Sequence, residues 1–226
     1  MEENKEERKK KEKKRIGLKI LAVIAIIIAI IAILVLINFA RNLVIINDMI
    51  AKQEEFKNST NYSYTATYYD SNNEENKVNV QISYKDGKSI MAVDNGKDEI
   101  TVWYDEKTKE SIFLNEGTKE ATVTTSEFML GDELLYFYEE DNKMYYALTS
   151  LIVNSNINGN DCYKMIHSNY NTYINKEDGT VQKDVYKGAI VNNEKCDTIT
   201  EYSNWKFNEL TDEYMAKPDL TGYTVK

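Results

Sequence analysis

An α+β protein, with a membrane-crossing helix ahead of an antiparallel β domain, is predicted by three features of this 226-residue chain. Ile20 to Ile37 is an unbroken run of eighteen apolar side chains. Beyond residue 60 the apolar period changes from helical to two, with apolar and polar residues alternating strictly. Dipeptides suited to tight turns separate the alternating runs: Asp86-Gly87, Asn95-Gly96, Glu116-Gly117 and Asp178-Gly179.

The amino terminus is read first. Residues 1–40 carry nine Lys/Arg against five Asp/Glu, while the rest of the chain carries nineteen against thirty-two. Eight of the basic residues fall in the tail 1–15, and few follow the apolar run closely. By the positive-inside rule the tail is cytoplasmic and the acidic domain is extracytoplasmic. Ile16 to Ala40 would rise about 37 Å as a helix, enough to cross a hydrocarbon core of about 30 Å with some tilt. A cleaved leader would have a shorter core, of about 7–15 residues, and small residues before the cut. Here the exit reads Asn38-Phe39-Ala40-Arg41, which favours an uncleaved single-pass signal anchor in the cell membrane.

Residues 41–58 keep a helical pattern, with Leu43, Ile46, Ile50 and Phe56 on one side and Asp48, Lys52 and Glu55 on another. This juxtamembrane helix is expected to pack on the outer domain, 59–226. Ten strands follow from the alternation: 61–69, 77–84, 88–94, 99–105, 110–115, 119–124, 161–167, 171–175, 180–187 and 196–207. They read as a meander with one apolar face. The meander is interrupted at 127–152, where Leu134, Leu135, Phe137, Tyr145, Leu148 and Ile152 suggest one or two helices. A one-sided sheet must be covered, and these two helical segments are the elements available to cover it.

Chemistry is sparse. The net charge of −9 argues against a nucleic-acid partner. With one histidine, two cysteines and no nucleophile, metal or cofactor motif, catalysis lacks its usual parts. Cys162 and His167 fall five apart on one strand and so point to opposite faces. The pair Cys162 and Cys196 leaves a disulfide open, since both lie on the oxidising side of the span. Seventeen tyrosines suit a half-buried sheet, or the aromatic wall of a pocket. Tyr62 and Tyr64 on one strand, with Val78, Val80, Ile82 and Tyr84 on its neighbour, form the candidate apolar binding face.

Certain stretches carry a family likeness: Gly159-Asn-Asp-Cys-Tyr-Lys-Met, Thr172-Tyr-Ile-Asn-Lys-Glu-Asp-Gly, and the ending Trp205-Lys-Phe-Asn-Glu-Leu-Thr-Asp-Glu with Lys217-Pro-Asp-Leu-Thr-Gly-Tyr. With the order of elements, they resemble the LolA/LolB-like superfamily of bacterial lipoprotein carriers and related cell-envelope sensors. The resemblance spans about 45–226. It implies an open, half-closed β-barrel with helices covering the concave face, an apolar interior, no catalytic residues and no cofactor. It also implies a lipid or lipidated peptide as ligand. A tethered member cannot shuttle cargo between membranes. It would hold or sense an apolar ligand at the outer leaflet, or, with a filled core, dock another envelope protein.

Overall fold

The computed structural model describes residues 3–57, 59–94, 96, 99–125 and 142–226. Its first element is one continuous helix, α1 (Glu3–Lys57), so the apolar run and the juxtamembrane segment form a single rod. Nothing interrupts it because no proline or glycine falls between Leu18 and Lys57. Among the described residues this is the one helix long and apolar enough to cross a membrane, and its most apolar window is wholly uncovered by the rest of the chain.

Six strands then follow as a meander: β1 (Asn61–Asp70), β2 (Val78–Lys85), β3 (Lys88–Asp94), β4 (Glu99–Asp105), β5 (Glu110–Asn115) and β6 (Glu120–Thr125). After α2 (Lys143–Thr149) come β7 (Leu151–Ile157), β8 (Asn160–His167), β9 (Tyr170–Asn175), β10 (Val181–Val191) and β11 (Glu194–Phe207), and the chain ends in β12 (Thr224–Val225). All twelve join one open sheet in the order β12-β6-β5-β4-β3-β2-β1-β11-β10-β9-β8-β7. The architecture is therefore two meanders fused through an antiparallel β1–β11 pair, rather than the single ten-strand run expected. The sheet does not close, and its ends are β7 and the short β12, which lies parallel to β6.

Not every turn follows its dipeptide, since beyond Glu116-Gly117 the positive φ falls on Lys119 (53°) and not on the glycine. Asp86 and Gly87 both have positive φ (48° and 82°), the geometry of a two-residue type I′ hairpin, and Asn158 and Gly159 repeat it at 53° and 92°. Asn95 of the Asn95-Gly96 turn lies outside the described residues. The helical insertion expected at 127–152 is corrected in part. Residues 143–149 are helical, 127–141 lie outside the described residues, and Leu151 and Ile152 open strand β7.

Three buried clusters hold the assembly. Ile46 and Met49 of α1 meet Ala147, Ile152, Met165 and Ile174, so α1 packs on the β7–β9 end of the sheet. Asn42 is fully buried there, donating to the carbonyls of Ala147 (3.1 Å) and Ser150 (2.8 Å), which close the end of α2. Farther along, Gln53 donates to the Gly179 carbonyl. Gly179 has φ +75°, and a Cβ there would sit 2.9 Å from the Lys52 Cβ, so glycine is needed both for the turn and for the helix to approach. The second cluster lies on β1, β2 and β11. The third, Trp103, Ile112, Leu114 and Ala121, is covered by the tail through Leu220 and Tyr223, and Trp103 Nε1 donates to the Met215 carbonyl at 3.1 Å.

Candidate functional site

Directly opposed residues in an antiparallel ladder point to the same side. The register runs Ile152–Met165–Thr172–Asp184–Thr200–Tyr68, so the surface beneath α1 continues without a break onto β1. All six residues chosen from the sequence belong to this side. Tyr62 pairs with Tyr84, Tyr64 with Ile82, and Tyr68, two residues beyond Ala66, with Val78; Val80 pairs with Ala66. Tyr62, Tyr64, Val80 and Ile82 are buried, joined by Ala66, Val181 and Tyr202. Val78 and Tyr84 are half-buried, as are Met91, Val93, Trp205 and Phe207 around them. The face thus has a packed centre and a half-buried apolar margin.

Aromatic contacts order the centre. Tyr64 stacks on Trp205 at 4.5 Å between centroids, Tyr62 stacks on Tyr84 at 5.3 Å, and Tyr202 meets Tyr64 edge-on at 6.2 Å. Trp205 Nε1 donates to the Val181 carbonyl, which leaves its ring apolar toward the face. The Tyr64 hydroxyl is buried without a hydrogen-bond partner. Burial pushes its pKa well above the ordinary phenol value, and that of Tyr202 likewise.

Between this face and the α1 cluster sits Asp184, only 4% exposed. Tyr202 donates to its Oδ2 at 3.2 Å, whereas Oδ1 is buried with no partner. Burial pushes the Asp184 carboxyl up to about 6, against the pull of the neighbouring Thr172, Tyr202 and Tyr170 hydroxyls. An unfolded aspartate titrates near about 3.9, so the folded state holds the proton more tightly. Stability contributed by this group is therefore gained as pH falls from above 6 toward 4, and the penalty is complete at neutral pH. Asp184→Asn is expected to stabilise the protein by about 2 kcal/mol at pH 7.5 and to change little at pH 4. Thermal melts of the full chain at the two pH values check this, and equal effects at both would contradict it.

The opposite side of the sheet carries a polar cleft of about 520 Å³, lined by Ser63, Thr65, Gln81, Asn204, Lys206 and Tyr214 among others. It forms where a β11 bulge opposite Ser63 and Thr65 puts Asn204 at φ 56°, and where the tail turns back over β1 and β2. Lys206 and Glu209 pair across its rim at 3.3 Å. Sequence reasoning missed this cleft. The alternating polar residues of β1 and β2 signal only a wet face, and the bulge is not legible without its partner strand.

The cysteines stay apart. Cys162 on β8 and Cys196 on β11 are both free and buried, with β9 and β10 between them, a spacing of roughly 14 Å across the sheet and far beyond disulfide reach. Burial raises both thiol pKa values. His167 lies against Thr149, Tyr145 and Tyr146, on the other face of β8 from Cys162. The two form no dyad. Among the described residues no group of three or more His, Cys, Asp or Glu is arranged to hold a metal ion.

No family model matches the sequence, and no curated protein does. Solved structures do match. An uncharacterized conserved protein from Thermus thermophilus is 10% identical over 80% of this chain and 98% of its own, with a TM-score of 0.49. MucB in complex with MucA(peri) is 9% identical over 77% of this chain and 60% of its own, with a TM-score of 0.42. A LolA superfamily protein from Nitrosomonas europaea is 10% identical over 76% of this chain and 97% of its own, with a TM-score of 0.32.

Proposed function

We propose that this chain is a non-enzymatic, membrane-anchored extracytoplasmic domain that holds a lipid-like or other apolar ligand at the outer leaflet. Residues 1–15 form the basic cytoplasmic tail, 16–40 the span, 41–58 the juxtamembrane part of the same helix, and 59–226 the outer domain. The observation that carries the reading is the shape of the apolar face. Its margin, through Val78, Met91 and Val93, is half-buried beside a packed aromatic centre. Each buried methylene contributes about 0.8 kcal/mol, so an acyl chain of about sixteen carbons supplies about 13 kcal/mol and leaves about 8 kcal/mol, or micromolar binding, after an ordering cost of about 5 kcal/mol.

A second reading, an envelope-protein interaction module with a filled core, draws on the tight packing of Tyr62, Tyr64, Val80 and Ile82. Photo-crosslinking in the native membrane separates the two. The full chain carries benzoyl-phenylalanine in place of Val78 or Tyr84 on the apolar face, or in place of Asn79 on the opposite one. Lipid-mass adducts at 78 and 84 but not at 79 support the ligand reading. Protein adducts at those positions support the interaction module, and no adduct at either removes the ligand reading.

A further inference from the structure

Exposed apolar residues such as Ile190 and Val225 occur singly across the outer domain, but one group of them is contiguous. Met144, Tyr145 and Leu148 of α2 and Leu151 at the start of β7 are each more than half exposed, and they follow one another within eight residues. Four large apolar groups side by side on a short segment form a surface that water covers at a cost. Their position relative to the apolar run is fixed by rigid contacts. Arg41 of α1 hydrogen-bonds the Ile152 carbonyl, and Asn42 holds the carbonyls of Ala147 and Ser150. Phe39, at the end of the span itself, already packs with the cluster that joins α1 to the sheet.

The helix acts as a ruler. Ile37 is the last residue of the unbroken apolar run, and Arg41 and Asn42 stand four and five residues beyond it. At about 1.5 Å per residue these contacts lie about 6 and 7.5 Å past the hydrocarbon boundary, less if the helix tilts. The headgroup layer on each side is itself about 5–7 Å deep. The other end of the same packing lies elsewhere. Lys52 hydrogen-bonds the Lys176 carbonyl, fifteen residues past Ile37, about 22 Å from the boundary and in open water.

We propose that α2 and the start of β7 make a second, interfacial contact with the bilayer, through Met144, Tyr145, Leu148 and Leu151. This rests on the reading that α1 spans the membrane. The domain then lies on the outer leaflet with one end of the sheet in the headgroups, rather than standing off on a stalk. Tyr145 suits that layer because its ring is apolar and its hydroxyl reaches water. Two contacts on one rigid rod fix the rotation of the domain about α1, which a lone span leaves free. The apolar sheet face is thereby held at one orientation to the lipid.

The test uses the full chain in phosphatidylcholine vesicles, part of whose lipid carries a nitroxide near the headgroup and part along the acyl chain. A fluorophore is attached in turn at Leu148→Cys, Glu177→Cys and Ile28→Cys, the native cysteines being buried. The Leu148 label is expected to be quenched several-fold more by the headgroup nitroxide than the Glu177 label. The Ile28 label is expected to respond to the chain nitroxide. Equal weak quenching at Leu148 and Glu177, with Ile28 strongly quenched, would overturn this inference and leave the span intact. Strong quenching at both would overturn it too, since the domain would then lie flat. An unquenched Ile28 label would remove the span, and the interfacial contact with it.

Discussion

Ile46→Asp is expected to detach α1 from the sheet. Ile46 is fully buried in the cluster that joins the helix to β7, β8 and β9. Truncating it to alanine alone would cost about 2–5 kcal/mol through lost transfer energy and the cavity left behind. An aspartate adds the penalty of an unpaired buried carboxylate, a further several kcal/mol. Domains are stable by about 5–15 kcal/mol in total, so the sum is comparable to the whole margin. The same step leaves the Ala147 and Ser150 carbonyls without Asn42, because the helix that carries it no longer seats. Limited proteolysis of the full chain in detergent micelles should then cut within 42–57, where the wild type resists. Equal resistance in the two proteins would show that α1 is not a structural member of the outer domain.

Tyr64 gives the second large effect, and only one of its two replacements should be destabilising. The ring is almost fully buried, and it stacks on Trp205 and meets Tyr62 and Tyr202. Tyr64→Ala removes all of these contacts and leaves a cavity, at a cost of about 3–5 kcal/mol. Tyr64→Phe keeps the ring and removes only a hydroxyl that has no partner. Since an unsatisfied buried polar group costs about 1–3 kcal/mol, the phenylalanine variant should match or exceed wild-type stability. Chemical denaturation of both variants against wild type measures the pair. Destabilisation by phenylalanine as large as that by alanine would mean the hydroxyl has a role that the packing does not reveal.

Much of this architecture is legible in the sequence because it is local. Strand alternation depends on neighbouring residues, so β1 to β6 fall within a few residues of their expected bounds. Strand β7 reads as the end of a helix because its second half, Asn154-Ser155-Asn156, offers no apolar alternation. The Asn158-Gly159 dipeptide is the available signal, since that pair favours a type I′ turn and so implies a strand on each side. The β1–β11 pair is not legible. No turn joins the two strands, and their register is set by packing around Tyr64, Tyr202 and Trp205. The six residues chosen from the sequence follow from period two, because each lies on one side of the adjacent strands β1 and β2. Asp184 escapes notice since a single aspartate in an alternating strand looks like surface. Its burial comes from the neighbouring strands β9 and β11, which set Thr172, Tyr170 and Tyr202 beside it.

The orientation of the chain across the membrane is tested most directly by a membrane-impermeant, mass-adding maleimide on intact cells. One variant carries Glu177→Cys, beyond the far end of the α1–sheet contact, and another carries Glu7→Cys in the basic tail. The account predicts that the Glu177 variant is modified in intact cells at the full-length mass. It predicts that the Glu7 variant is modified only after the membrane is permeabilised. Modification of the tail in intact cells, with Glu177 protected, would reverse the topology. A mature chain shortened by the length of the apolar run would remove the anchor altogether.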